Sequence, residues 1–239
     1  MPQCRADEEP PFWYALDDAA EISCPAFILD TRSERQRFPV AIPPRLMKQK
    51  QMDAFVLWLE SKAHDDRPKF VFLGSPIIPL TRDYEAPDVW MRQDGPTGYP
   101  GELSHIVRVI VEKQIQRVVF VGGDPHLSCA APMKFQLLPS RESVRSLHIV
   151  SSGLYSPLPF ANMSPDDVNW RQNTISLPGC QIEYTPELLV SGPPHFLRVS
   201  ANQPTDSNGC WTITVEAYAP SGDVKRVPPK PIKSSTYRL

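Results

Sequence analysis

The sequence predicts an α/β protein, a layered sheet with helices on its faces. Residues 24–30 and 69–74 are short apolar runs of the kind that form buried strands, and a helical stripe lies between them. Residues 118–121 (Val-Val-Phe-Val) make a third such run, which stops at Gly122 and Gly123 and is entered from a second helical stripe. Strand, helix, strand, repeated in this way, favours a sheet whose strands run parallel, with helices as the connections.

Taken in order, residues 10–16 (Pro-Pro-Phe-Trp-Tyr-Ala-Leu) are aromatic enough for a strand, and residues 24–30 form a second, buried one. A charged strand-end loop, residues 30–37, follows; in it Arg32 and Arg35 suit an anion, while Asp30 and Arg32 equally suit a local pair on a solvated loop. Over residues 45–63, Met52, Phe55, Val56 and Leu59 fall at the spacing of an amphipathic helix, which Asp65-Asp66-Arg67-Pro68 breaks before the strand at 69–74. Residues 77–101 are long, polar and rich in proline and glycine, the character of a working loop; the plainer alternative is a surface excursion anchored by Trp90. Leu103, Ile106, Val107 and Ile110 then define a helix over residues 102–113.

Beyond the glycine pair, residues 127–135 are apolar and small and read as a helix start or a packed turn. Residues 145–151 alternate as a strand, with His148 inside it as a structural residue, and residues 152–162 are a proline-stiffened loop. Residues 166–174 read as a connection, residues 194–201 and 210–219 as an antiparallel strand pair, and residues 227–239 as a frayed tail rich in proline and lysine.

Composition narrows the function classes. A chain of 239 residues with 41% apolar content is ordinary for a globular protein, and no run of 18 apolar residues is present. The polar, acidic N-terminus lacks the pattern of a signal peptide, so a cytoplasmic, non-membrane protein is expected. A net charge of -2 gives no basis for nucleic-acid binding. Five scattered cysteines without Cys-x-x-Cys spacing support neither a zinc ribbon nor a disulfide framework. Against 11 glycines stand 28 prolines, which implies long irregular connections.

The chemistry centres on Asp124 and His126, directly after the strand at 118–121. In extended backbone, residues two apart point to one face, so a carboxylate and an imidazole would project together from the strand end, where open α/β sheets hold ligands. An oxygen and a nitrogen donor on one turn suit a divalent or trivalent ion, and Pro125 between them limits their freedom. The same residues also read as a plain Gly-Gly-Asp-Pro turn with a surface histidine.

Several segments together resemble the alkaline phosphatase D (PhoD-like) metallophosphatases, particularly their cytosolic bacterial branch. They are residues 27–35 (Phe-Ile-Leu-Asp-Thr-Arg-Ser-Glu-Arg), Gln51 with Trp58 and Leu59, residues 67–71 (Arg-Pro-Lys-Phe-Val), Asp88-Val89-Trp90, Gly98-Tyr99-Pro100, residues 118–126, and residues 151–162 (Ser-Ser-Gly-Leu-Tyr-Ser-Pro-Leu-Pro-Phe-Ala-Asn). They occur in the family's order across roughly residues 12–167. The resemblance implies a calcineurin-like fold, a layered β-sandwich flanked by helices, with a two-metal phosphoesterase site at the strand ends. It makes Asp124 and His126 metal ligands, with iron and calcium the implied ions and zinc also open. It implies hydrolysis of a phosphomonoester or phosphodiester by metal-bound hydroxide. Arg32, Trp90 and Tyr99 are candidates for lining the substrate side.

The family's N-terminal metal motifs have no counterpart here, so the resemblance covers the C-terminal part of such an enzyme. On that reading residues 1–167 belong to the metallophosphatase domain, residues 168–226 to a β-rich extension of it, and residues 227–239 to the tail. A sheet deprived of its N-terminal strands exposes an unpaired edge, from which self-association is expected. A non-catalytic interaction protein derived from the same fold is the alternative expectation.

Overall fold

The computed structural model describes residues 11–17, 24–36, 44–80, 95–151, 164–191, 195–203, 210–218 and 231–239. Among these, a large mixed sheet dominates, with two α-helices and a second, smaller sheet.

The parallel centre of the large sheet forms as the apolar runs predict. β2 (Ala26–Ile28), β3 (Lys69–Phe72), β4 (Val118–Gly122) and β6 (Ser143–Val150) lie side by side and parallel in that order. β1 (Tyr14–Leu16) pairs antiparallel outside β2. Each crossover carries a helix: α1 (Gln49–Ser61) between β2 and β3, and α2 (Pro100–Glu112) between β3 and β4. α1 buries Met52, Phe55 and Leu59 as its stripe requires, and Phe27 of β2 packs against Phe55 and Trp58 at ring separations of 5.1 and 5.4 Å. α2 starts on Pro100, whose missing amide proton costs nothing in the first turn, and buries Leu103, Ile106, Val107 and Ile110.

The other side of β6 is antiparallel. β5 (Leu127–Leu137) pairs with β6 and also with β8 (Cys180–Tyr184) and β9 (Glu187–Ser191), and β7 (Asn173–Leu177) pairs outside β8. The expected helix start at residues 127–135 is therefore a strand. β5 is covered on both faces over its first half, so its apolar residues run without alternation, and periodicity cannot separate such a strand from a buried helix. The expected connection over residues 166–174 holds a 3-10 turn, Pro165–Asp167, and then enters β7.

β10 (Phe196–Asn202) and β11 (Thr212–Tyr218) form the expected antiparallel pair. The expected frayed tail instead supplies β12 (Lys233–Arg238), which pairs along β11 from Lys233 to Arg238. The prolines that suggested fraying end before this segment, and an unpaired strand edge on β11 supplies the hydrogen bonds that hold it.

Two apolar layers result. One unites the helix stripes with Phe27, Val71, Val118, Phe120 and Phe135 on one face of the large sheet. The other packs Ile213 and Val215 of the small sheet against Val119, Ala130, Leu147 and Ile149 on the opposite face. Helices thus cover one face and the small sheet covers the other.

Candidate functional site

Four parallel strands end along one edge, and the ladder continues past them: Leu29 N donates to Phe72 O, Leu73 N to Val121 O, and Ser151 N to Gly122 O. This stitching holds the post-strand segments of β2, β3, β4 and β6 together as one rim. Gly122 is needed there, because a β-carbon on it would lie 2.8 Å from the backbone oxygen of Ser75.

The loop after β2 is built by its own polar residues. Asp30 accepts hydrogen bonds from the amides of Arg32 (3.0 Å) and Ser33 (2.9 Å) and from the Ser33 hydroxyl, which folds the chain into a tight turn. Partial burial pulls the Asp30 carboxyl up, but the Ser33 hydroxyl and the Ser33 and Arg32 amides outweigh it and hold it below its ordinary value. From α1, the fully buried Gln51 accepts from Asp30 N (2.8 Å) and donates to Asp30 O (3.1 Å) and to the Glu34 carboxylate (2.8 Å). Glu34 in turn accepts from Lys48 N. Thr31 Oγ1 accepts from Gly74 N at 3.1 Å, tying the loop to the end of β3.

The effect of this bracing is to present Arg32 across the rim. Its Nη2 lies 3.1 Å from Asp124 Oδ1, joining residues 92 apart in sequence, with both side chains about half exposed. The structure therefore brings Arg32 and Asp124 together, and His126 follows two residues on, half-buried.

The premise of extended backbone at Asp124 and His126 is corrected. Asp124 has φ 86° and His126 φ 58°, left-handed values that side chains with a β-carbon seldom adopt. The physical reason is the change of direction. β4 runs parallel to β6 while β5 runs antiparallel to it, and only residues 123–126 separate β4 from β5, so the chain must reverse there. Strain of this kind concentrates at ligand sites.

Of the other two substrate-side candidates, only Tyr99 lies within the described residues. Tyr99 is 2% exposed, between the 3-10 turn Pro96–Gly98 and α2, and its hydroxyl is buried without a hydrogen-bond partner among the described residues. Trp90 lies outside the described residues, as do most of the expected loop at 77–101 and the segment 152–162. The described start of the former is core, with Ile77, Ile78 and Leu80 buried. Sequence reasoning gave Gln51 no role in shaping the rim. The available signal was a glutamine falling beside the apolar stripe of α1.

A metal ion needs four or more donors from protein and solvent. Among the described residues no group of three or more His, Cys, Asp or Glu side chains could hold one, and Asp124 is engaged by Arg32. The described donors alone do not fit a two-metal centre. Among the described residues Cys129, Cys180 and Cys210 are free thiols. Among the described residues no helix is long and apolar enough to cross a membrane.

The fold and rim define a mixed α/β protein with its polar cluster on the C-terminal edge of parallel strands. No protein-family profile and no curated protein sequence matches the chain. A solved structure of PhoD is similar to it at a TM-score of 0.40 and 14% identity, over 87% of this chain and 44% of that one. The chain thus spans less than half of that protein's chain.

Proposed function

We propose that this chain is part of a metal-dependent phosphoesterase, with the rim formed by Arg32, Asp124 and His126 as its phosphate-binding edge. The observation that carries the reading is the Arg32–Asp124 pair, held across two strand ends by a braced loop on one side and a left-handed turn on the other. The ordered PhoD-like segments of the sequence supply the reaction class. Arg32, with a planar fork of donors, suits two oxygens of a phosphate ester. A bound phosphate would draw Arg32 from Asp124 and leave the carboxylate and the nearby imidazole as two donors of a larger set. The remaining donors come from residues beyond those described, and iron, calcium or zinc are the ions such a set would take. Trp90 and Tyr99 stay as proposals for the substrate side.

Hydrolysis of bis-p-nitrophenyl phosphate and p-nitrophenyl phosphate, with each of these ions added, tests the reading. Metal-dependent turnover that falls at least tenfold in Arg32→Ala and is lost in Asp124→Asn supports it. Turnover indifferent to both substitutions contradicts it.

A second reading, a non-catalytic interaction protein in the cytoplasm, is favoured by the lack of a three-donor cluster among the described residues. On either reading self-association through a sheet edge is proposed. β1, only three residues long and flanked by Phe12 (71% exposed) with Tyr14 at 49%, is the edge best suited to it. Light scattering that finds a monodisperse monomer at high concentration contradicts that.

A further inference from the structure

α1 reaches the rim through one side chain. Gln51 belongs to its buried stripe with Phe55 and Trp58, and those two rings pack on Phe27, which fixes the helix against β2. Just past β2 the chain has lost a neighbour. Leu29 N donates toward β3, so the N–H and carbonyl of Asp30 face the β1 side. β1 begins only at Tyr14, opposite Ile28, and puts no strand residue opposite Asp30. Gln51 stands where that residue would be. Its side-chain amide accepts from Asp30 N and donates to Asp30 O, the exchange an antiparallel partner makes, and it holds Glu34 as well. Arg32 belongs to the same unit, because its amide donates to the Asp30 carboxylate.

The Arg32 side chain has a second support, at the end of β3. A β-carbon on Gly74 would lie 3.4 Å from Arg32 Nε, 3.5 Å from Arg32 Cγ and 3.2 Å from Thr31 Oγ1. The bare α-carbon of Gly74 is thus the surface along which the arginine runs, and a methyl there would displace it by a few tenths of an ångström. We propose that Gln51 and Gly74 are positioning residues for Arg32, Gln51 setting the backbone from which it springs and Gly74 the path of its side chain. The proposal rests on the reading of the rim as a phosphate-binding edge and names two residues that act there through one guanidinium. A fork held in place before the ligand arrives avoids the cost of ordering it, and its paired hydrogen bonds weaken when it is misplaced by less than about 1 Å.

Hydrolysis of bis-p-nitrophenyl phosphate tests this by double-mutant cycles. Gln51→Met and Gly74→Ala are each expected to lower kcat/KM about tenfold. Added to Arg32→Ala, each should change it by less than about twofold, since the group through which they act is gone. Equal losses in both backgrounds, or undiminished turnover in either single variant, overturn the proposal. Gly74→Ala removes no polar group, so the cycle can be completed even where Gln51→Met does not fold. If Arg32→Ala alone leaves turnover unchanged, the reading of the rim has failed, and positioning is decided without turnover. The Arg32 Nε–Hε signal in a nitrogen-15 spectrum, assigned by its loss in Arg32→Lys, is expected to shift in Gly74→Ala and to move toward the position of free arginine in Gln51→Met. A signal unmoved in either variant overturns the proposal.

Discussion

Asp124 and His126 occupy backbone angles that glycine adopts freely and that cost other residues on the order of 1–3 kcal/mol. Replacing Asp124 by alanine or by glycine removes the same exposed ion pair, a loss of about 1 kcal/mol at most. The difference between the two variants therefore isolates the strain. Asp124→Gly is expected to be about 1 kcal/mol more stable than Asp124→Ala in urea unfolding, and equal stability would remove strain from the description of the turn. His148 poses a different cost. It is fully buried in β6, neither ring nitrogen has a hydrogen-bond partner of good geometry among the described residues, and burial, opposed only in part by the Phe120 backbone, pushes its pKa down to about 3 from 6.5. Above pH 6.5 the ring is neutral in both states and has no effect. Between 6.5 and about 3 the unfolded chain binds a proton that the folded chain refuses, so folding weakens by about 1.4 kcal/mol per pH unit. Going from pH 7 to pH 5 should cost the wild type about 2 kcal/mol more than it costs His148→Leu. Parallel losses in the two proteins would mean that His148 is protonated in the fold or does not contribute.

At the scale of elements, the two sheets are joined by a buried polar contact as well as by apolar packing. Ser128 Oγ of β5 and His195 Nε2, just before β10, lie 2.7 Å apart, and both residues are sealed from solvent. A serine hydroxyl on an imidazole is the start of a nucleophilic pair, but with no solvent access its role here is to fasten β10 to β5. Ser128→Ala is expected to lower stability by about 1–3 kcal/mol in urea unfolding while phosphate-ester turnover is retained. A fall in turnover without a fall in stability would assign the pair to chemistry. The elements most legible in the sequence were those whose burial leaves a period or a clean apolar run: α1, α2, β4 and the β10–β11 pair. β5 was not legible, because burial on both faces erased its alternation. β7, β8 and β9 lie in a stretch for which no strands were expected. β12 was hidden behind its prolines, since what orders it is the distant edge of β11 and nothing local. Within the rim, Asp124 and His126 were legible from their place after a glycine pair, and Arg32 from its charged strand-end loop. The Arg32–Asp124 contact was not, because it depends on two strand ends that only the sheet order brings together.

At the scale of the molecule, the chain is a large mixed sheet with helices on one face, a small sheet on the other, and its polar cluster along the edge where β2, β3, β4 and β6 end. That is the edge at which open α/β sheets hold ligands. On that edge Asp124 is matched by Arg32 across two strand ends. The proposal for the rim turns on whether Asp124 and His126 share an ion. Manganese(II) titration followed by loss of amide signals in a nitrogen-15 spectrum reads this directly, since a paramagnetic ion broadens its neighbours even when it binds weakly. Broadening that begins at Gly123, Asp124 and His126, spreads to Arg32, and is lost in Asp124→Asn is the predicted result. Signals at these residues that stay sharp while others broaden, or that broaden equally in Asp124→Asn, would contradict it.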